Sequence, residues 1–93
     1  MSDDFDSLAF VSVVEEKLSA IAEIYRMVLK KQMTDLSISP ETMTPEQAEI
    51  VINKVTEALE GFIGVDGAKF MKTNLRKDLR KLAPEYFKDR YGV

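Results

Sequence analysis

The residues with the clearest chemical potential are cations that recur near the C-terminal end of the chain. Four of them are three, four and four residues apart, at Lys69, Lys72, Arg76 and Arg80. This spacing places them along one side of an α-helix. Lys77 and Lys81 widen the row, and Phe70 lies among them. We call these seven residues the basic face, and they form the candidate partner-binding surface of the sequence.

A basic helix surface binds acidic groups, which are carried by nucleic acids, membrane lipids or other proteins. Residues 62–93 hold 8 Lys and Arg against 4 Asp and Glu, whereas residues 1–61 hold 5 against 12, giving a net charge of −3. A pI of 4.9 weighs against nucleic acid, because nucleic-acid-binding domains usually have a pI above ~9. The alternative is a solvated face whose cations pair with the acidic first half of the chain.

The sequence lacks the residues on which most enzyme and metal sites depend. It contains no His and no Cys, which removes the commonest general base, thiol nucleophiles and the usual zinc ligands. The carboxylate pairs Glu15/Glu16, Glu46/Glu49 and Glu57/Glu60 have no histidine with which to build a helical di-metal site. We therefore expect no catalytic residue, no metal site and no cofactor, and a protein that is not an enzyme.

Glycines at 61, 64 and 67 do not form a phosphate-binding loop. Such a loop follows a strand and supplies Gly-Lys-Ser/Thr, and neither feature occurs here. The glycines are typical of helix ends. They lie around a turn at residues 62–66, which gives a generic resemblance to a helix–turn–helix. Beyond Asn74 and its arginines, the following helix offers few groups for reading bases.

A long first helix is predicted over residues 6–31, with Asp6 or Ser7 as its N-cap. Its apolar residues recur at helical spacing, at Val11, Val14, Leu18, Ile21, Tyr25 and Val28. Ala22, Ile24 and Leu29 widen this stripe, as in a bundle helix with neighbours on two sides. Because such a helix is longer than the following helices can cover, we expect a homodimer that associates through it.

Three further segments follow the first helix. A connection at residues 32–44 folds Leu36, Ile38 and Met43 over the core. Thr44 and Gln47 form a capping box that begins a second helix at about residues 45–60. A third helix at about 67–82 buries Ala68, Met71, Leu75, Leu79 and Leu82. The tail, 83–93, adds a short fourth turn with Tyr86, Phe87 and Tyr91. Phe70 either packs under Tyr86 and Phe87 or against the connection at Leu36 and Ile38, or it is exposed and anchors an interface.

Together these patterns predict an all-α fold, a three-helix bundle with a long first helix and a short fourth C-terminal turn. We expect one helical domain over residues 1–93 and a small, homodimeric interaction or regulatory module without catalytic activity. The alternative is a nucleic-acid-binding protein that uses the basic face. No apolar run approaches the ~18 residues of a membrane span, and the acidic start is unlike a signal peptide, so we expect a cytoplasmic protein.

Overall fold

Four helices form the part of the chain that the structure describes. The computed structural model describes residues 5–91 and, of these, the side chains of residues 5–88. The helices are α1 (Ser7–Ile21), α2 (Tyr25–Asp35), α3 (Pro45–Leu82) and α4 (Pro84–Tyr91). No strand occurs within residues 5–91, so the all-α prediction is confirmed for this range. The last two residues of the predicted tail lie outside it.

The prediction of one continuous helix over residues 6–31 is wrong. Ala22 is extended, with φ −163° and ψ 138°, and the chain turns through residues 23 and 24 before α2 begins at Tyr25. Neither glycine nor proline marks this break. The break allows α2 to pack against both α1 and α3, so packing overrides local helix propensity. The length argument for a homodimer through the first helix therefore no longer holds.

The buried side of α1 is rotated slightly from the predicted stripe. Phe10, Val14 and Leu18 are its fully buried apolar residues, whereas Val11 is only partly buried. Asp6 caps the helix as predicted, because its carboxylate accepts a hydrogen bond of 3.0 Å from the Ala9 amide. The sequence pattern thus located the helix start correctly and missed Phe10 as a core residue.

A sharp bend at Gly64 divides α3 into two arms, residues 45–63 and residues 65–82. Gly64 has φ 85° and ψ 166°, a backbone conformation that is almost restricted to glycine. The arms fold back on each other, since Glu49 and Asn53 of the first arm line one shallow cleft with Arg76 of the second. Both arms are longer than predicted, and the predicted turn at residues 62–66 shrinks to one residue. A helix–turn–helix needs a turn of three or four residues.

The start and end of α3 follow the predicted signals. The Thr44 hydroxyl accepts from the Gln47 amide at 3.1 Å, and the Gln47 side chain accepts from the Thr44 amide at 3.0 Å, which confirms the capping box. Pro84 ends α3 and begins α4, because proline cannot continue the preceding helix. In the connection, Ile38 and Met43 are buried and Leu36 packs against the core, as predicted.

One apolar core joins all four helices. Its largest fully buried side chains come from α1, α2 and both arms of α3; they are Phe10, Leu18, Leu29, Ile52, Leu59, Leu75 and Leu79. From α4, Phe87 is also buried. The second arm faces this core with Ala68, Met71, Leu75 and Leu79, so its opposite side must face solvent. The core therefore determines the orientation of the basic face.

Candidate interaction surface

The basic face lies along the second arm of α3, on the side opposite the core. Lys72 is half-buried at its edge, and the other six residues are exposed. Phe70 is 71% exposed, the most exposed of the large apolar side chains among the described residues. The interpretation that Phe70 packs under the tail aromatics is therefore wrong. Instead, the Tyr86 and Phe87 rings pack edge-on against each other, with centroids 5.2 Å apart.

Within residues 5–88, no cation of the basic face forms an ion pair with an acidic side chain. Among the described side chains, the ion pairs join Lys17 to Asp78, Arg26 to Glu23, Lys31 to Asp35 and Lys54 to Glu57. None of these cations belongs to the basic face. The described side chains thus lack the ion pairs between these cations and the acidic first half, whereas the solvated face of the alternative interpretation agrees with the exposure of these residues.

Two arginines of the basic face have other contacts within the chain. The Arg80 guanidinium lies 5.2 Å from the centroid of the Phe87 ring, a cation–π distance. Arg76 lines the cleft between the arms with Glu49 and Asn53. The Tyr86 hydroxyl donates a 3.2 Å hydrogen bond to the Glu49 carboxylate. Arg76 and Arg80 thus form the structured end of the basic face beside α4, and lysines surround Phe70 further along the arm.

An ion pair with α1 neutralises one of the two acids on the second arm. The Lys17 Nζ lies 2.7 Å from Asp78 Oδ2. This oxygen is shielded from solvent and has no hydrogen bond of good geometry among the described residues, so the ion pair is the contact that compensates its charge. Asp78 therefore faces α1 and is not a counter-ion for the cations of the basic face. The sequence analysis missed this pair, because Lys17 and Asp78 are far apart in the chain.

A second exposed feature lies where two helix breaks meet. The Tyr25 and Phe62 rings are in contact, with centroids 5.6 Å apart, which brings the start of α2 next to the bend at Gly64. Phe62 and three apolar residues within four positions of this contact along the chain are exposed, and we call these four residues the joint patch: Ile21 at 44%, Ile24 at 65%, Phe62 at 64% and Val65 at 58%. The sequence analysis placed Ile21 and Ile24 in a buried stripe, which the break at Ala22 prevents.

Two groups with shifted pKa values lie outside both surfaces. A hydrogen bond to Glu23 raises the pKa of Arg26, and the Ser39 hydroxyl, by donating to Glu41, lowers the pKa of that carboxyl group. Within the described residues, no cluster of three acidic side chains is close enough to hold a metal ion. None of the helices in this range combines the length and apolar character needed to cross a bilayer.

Comparison with protein-family models, curated proteins and solved structures found no match to this chain. What the basic face can do follows from its chemistry. Lysine and arginine side chains attract carboxylates and phosphates over distances of several ångströms. An exposed phenylalanine gains free energy when a partner removes it from water. The combination is typical of a surface that recognises an acidic ligand with an apolar site.

Proposed function

We propose that this protein is a non-catalytic interaction module whose basic face binds an acidic protein partner. The observation that carries the proposal is the exposure of Phe70, 71%, among cations that form no ion pair with the described side chains. Burying such a ring stabilises a complex by roughly 1.5–3 kcal/mol, whereas the surrounding lysines accelerate encounter and select acidic partners. Phe70 is the expected anchor.

A protein partner explains both parts of the basic face. Phosphate binding uses cations and does not need an exposed aromatic side chain, whereas protein interfaces are enriched in aromatic anchors. The ligand that fits best is an amphipathic acidic helix, with carboxylates for the lysines and apolar side chains for Phe70.

Nucleic acid remains the second candidate, and the unpaired cations favour it. Lys69, Lys77 and Lys81 are exposed on one helix and would each neutralise a phosphate. Such binding would be largely independent of sequence, because the second arm offers few groups that read base edges.

A peptide titration tests the proposal. Fluorescence anisotropy is measured with a labelled glutamate-rich 20-residue helical peptide carrying leucines at i, i+4 and i+7, with its leucine-free counterpart, and with a 20-base-pair duplex DNA. We expect the leucine-containing peptide to bind most tightly. Phe70→Ala should weaken its binding about 10–100-fold. Binding of the DNA alone, with a steep loss as salt rises, would favour the second candidate.

The matched controls use exposed positions that keep the fold intact. Leu8→Ala removes an apolar side chain that is 55% exposed and lies on α1, and it should leave the affinity unchanged. Charge reversal at Lys77 and Lys81 is preferable to reversal at Arg76 and Arg80, which contact the rest of the chain. Equal binding by wild type and Phe70→Ala would contradict the proposed role of Phe70.

Homodimerisation stays part of this proposal, although the continuous helix that motivated it does not exist. The cytoplasmic location likewise stays a prediction from the sequence.

A further inference from the structure

The joint patch is an apolar surface separate from Phe70. Its placement depends on two helix breaks: Ile24 immediately precedes Tyr25, and Val65 follows the bend at Gly64. The contact between the Tyr25 and Phe62 rings holds the two breaks together. As a result, four apolar side chains that are 44–65% exposed belong to the two segments that meet at this ring contact. Surfaces of this kind are more often interaction sites than inert surface.

We propose that a second copy of this chain docks on the joint patch. The proposal rests on the self-association included in the proposed function, and it names the surface that carries it. None of the four residues of the joint patch belongs to the basic face.

The charged residues near the joint patch indicate which kind of partner binds there. Glu23 and Arg26 form an ion pair of 2.8 Å at its edge. Glu60, Asp66 and Lys69 are exposed nearby in the sequence, and none of them forms an ion pair with the described side chains. These three acids and two bases, close to the joint patch along the chain, disfavour binding to an anionic lipid surface or an acidic protein segment. They suit a partner that carries the same mixture of charges, as a second copy in a two-fold dimer does.

The available area is sufficient for a weak dimer. Each of the four side chains exposes on the order of 100 Å², so the joint patch contributes about 400 Å² of apolar surface per copy. Homodimer interfaces are about 65% apolar. An interface with this apolar area would therefore bury about 600 Å² of total surface per copy, or about 1,200 Å² for the two copies together. That total lies at the lower limit for specific association. We therefore expect a dissociation constant of roughly 1–100 µM.

Sedimentation velocity on the full chain, from about 1 to about 500 µM, tests this proposal. The wild type should shift from monomer to dimer as concentration rises. Val65→Asp should weaken dimerisation at least tenfold, because it buries an unpaired carboxylate in the interface. The substitution should preserve the fold, since Val65 is 58% exposed and begins the second arm, where the helix dipole favours an acidic residue. Ile24→Asp at the start of α2 should act in the same way.

Leu8→Asp is the matched control. It introduces the same charge at an apolar residue that is 55% exposed, also in the first turn of a helix, and it should leave the dimer unchanged. Thermal melts of all variants at low concentration show whether the monomer fold is preserved. Melting temperatures near that of the wild type are expected.

Three results would overturn the inference in different ways. A wild type that stays monomeric to about 500 µM would remove self-association altogether. If neither Val65→Asp nor Ile24→Asp weakens the dimer, the chain self-associates through a surface other than the joint patch. Binding to vesicles of anionic lipid that Val65→Asp abolishes would assign the joint patch to membranes. Because acidic-peptide binding uses Phe70 and the cations of the second arm, Ile24→Asp at the start of α2 should leave it intact, which separates this test from that of the basic face.

Discussion

Replacing Gly64 with alanine tests whether the bend in α3 depends on a glycine-only backbone. With φ 85° and ψ 166°, an L-residue at this position is strained by about 1–3 kcal/mol. A Cβ built at Gly64 meets no atom within 4 Å, so steric contact with neighbours adds nothing. The expected loss is therefore a backbone term alone. It is a substantial part of the roughly 5–14 kcal/mol expected for a domain of this size.

Gly61→Ala is the matched control, with an effect of opposite sign. Gly61 lies inside the first arm, and its Cβ would also meet nothing within 4 Å. Alanine there should stabilise the protein by roughly 0.5–1 kcal/mol, because it lowers the conformational entropy of the unfolded chain and has a higher helix propensity than glycine. The two substitutions add the same methyl group three residues apart, so their difference isolates the backbone conformation at Gly64.

Urea unfolding followed by circular dichroism at 222 nm measures both changes. The midpoint should fall for Gly64→Ala and rise for Gly61→Ala, with similar m-values. In thermal melts, Gly64→Ala should lower Tm by about 5–20 °C. A D-alanine at position 64, introduced by chemical synthesis, should restore the stability, because positive φ is ordinary for that stereoisomer. If Gly64→Ala is as stable as the wild type, or if both glycine variants shift in one direction, the assigned backbone is incorrect.

Three further predictions concern packing, capping and the α1–α3 ion pair. Leu18→Ala and Leu75→Ala each remove a side chain with no exposed area and should cost roughly 2–5 kcal/mol in urea unfolding; near-wild-type melting would show that these faces are not buried. Thr44→Ala removes the hydroxyl that accepts from Gln47 and should cost about 0.5–2 kcal/mol, and an unchanged midpoint would argue against the capping box. Lys17→Met leaves Asp78 Oδ2 shielded without its cation and should cost roughly 1–3 kcal/mol, of which Asp78→Asn in the same chain should recover a part. No recovery in the double variant would indicate that Lys17 acts by packing alone.

The sequence predicts the helical class and most helix ends because those features depend on local chemistry. Asp6 and Thr44 have side chains that cap a helix, and Pro84 cannot continue one. Each signal acts within four residues, so no knowledge of the fold is needed. The core side of the second arm was predictable for the same reason, since its apolar spacing is regular.

The break at Ala22 was not predictable, because the surrounding residues favour helix and contain neither Gly nor Pro. The chain departs from helix there to bring α2 against α1 and α3, and that gain depends on residues far along the sequence. The same long-range packing determines the exposure of the candidate sites. Phe70 could be assigned to the basic face from its spacing, but whether anything covered it depended on the path of α4. The joint patch depends on two breaks, of which only the one near Gly64 left a signal.

The helix α4 contacts both arms of α3. Tyr86 is hydrogen-bonded to the first arm through Glu49, and Phe87 lies against Arg80 of the second. Gly64 therefore connects the arms covalently at the bend. The eight-residue helix α4 adds a non-covalent connection between the ends of the arms that lie away from the bend. Cleavage after Ala83 would remove the connection through α4 and leave Gly64 and the shared apolar core to hold the arms together, and the free ends should then exchange their amide hydrogens faster than residues near the bend.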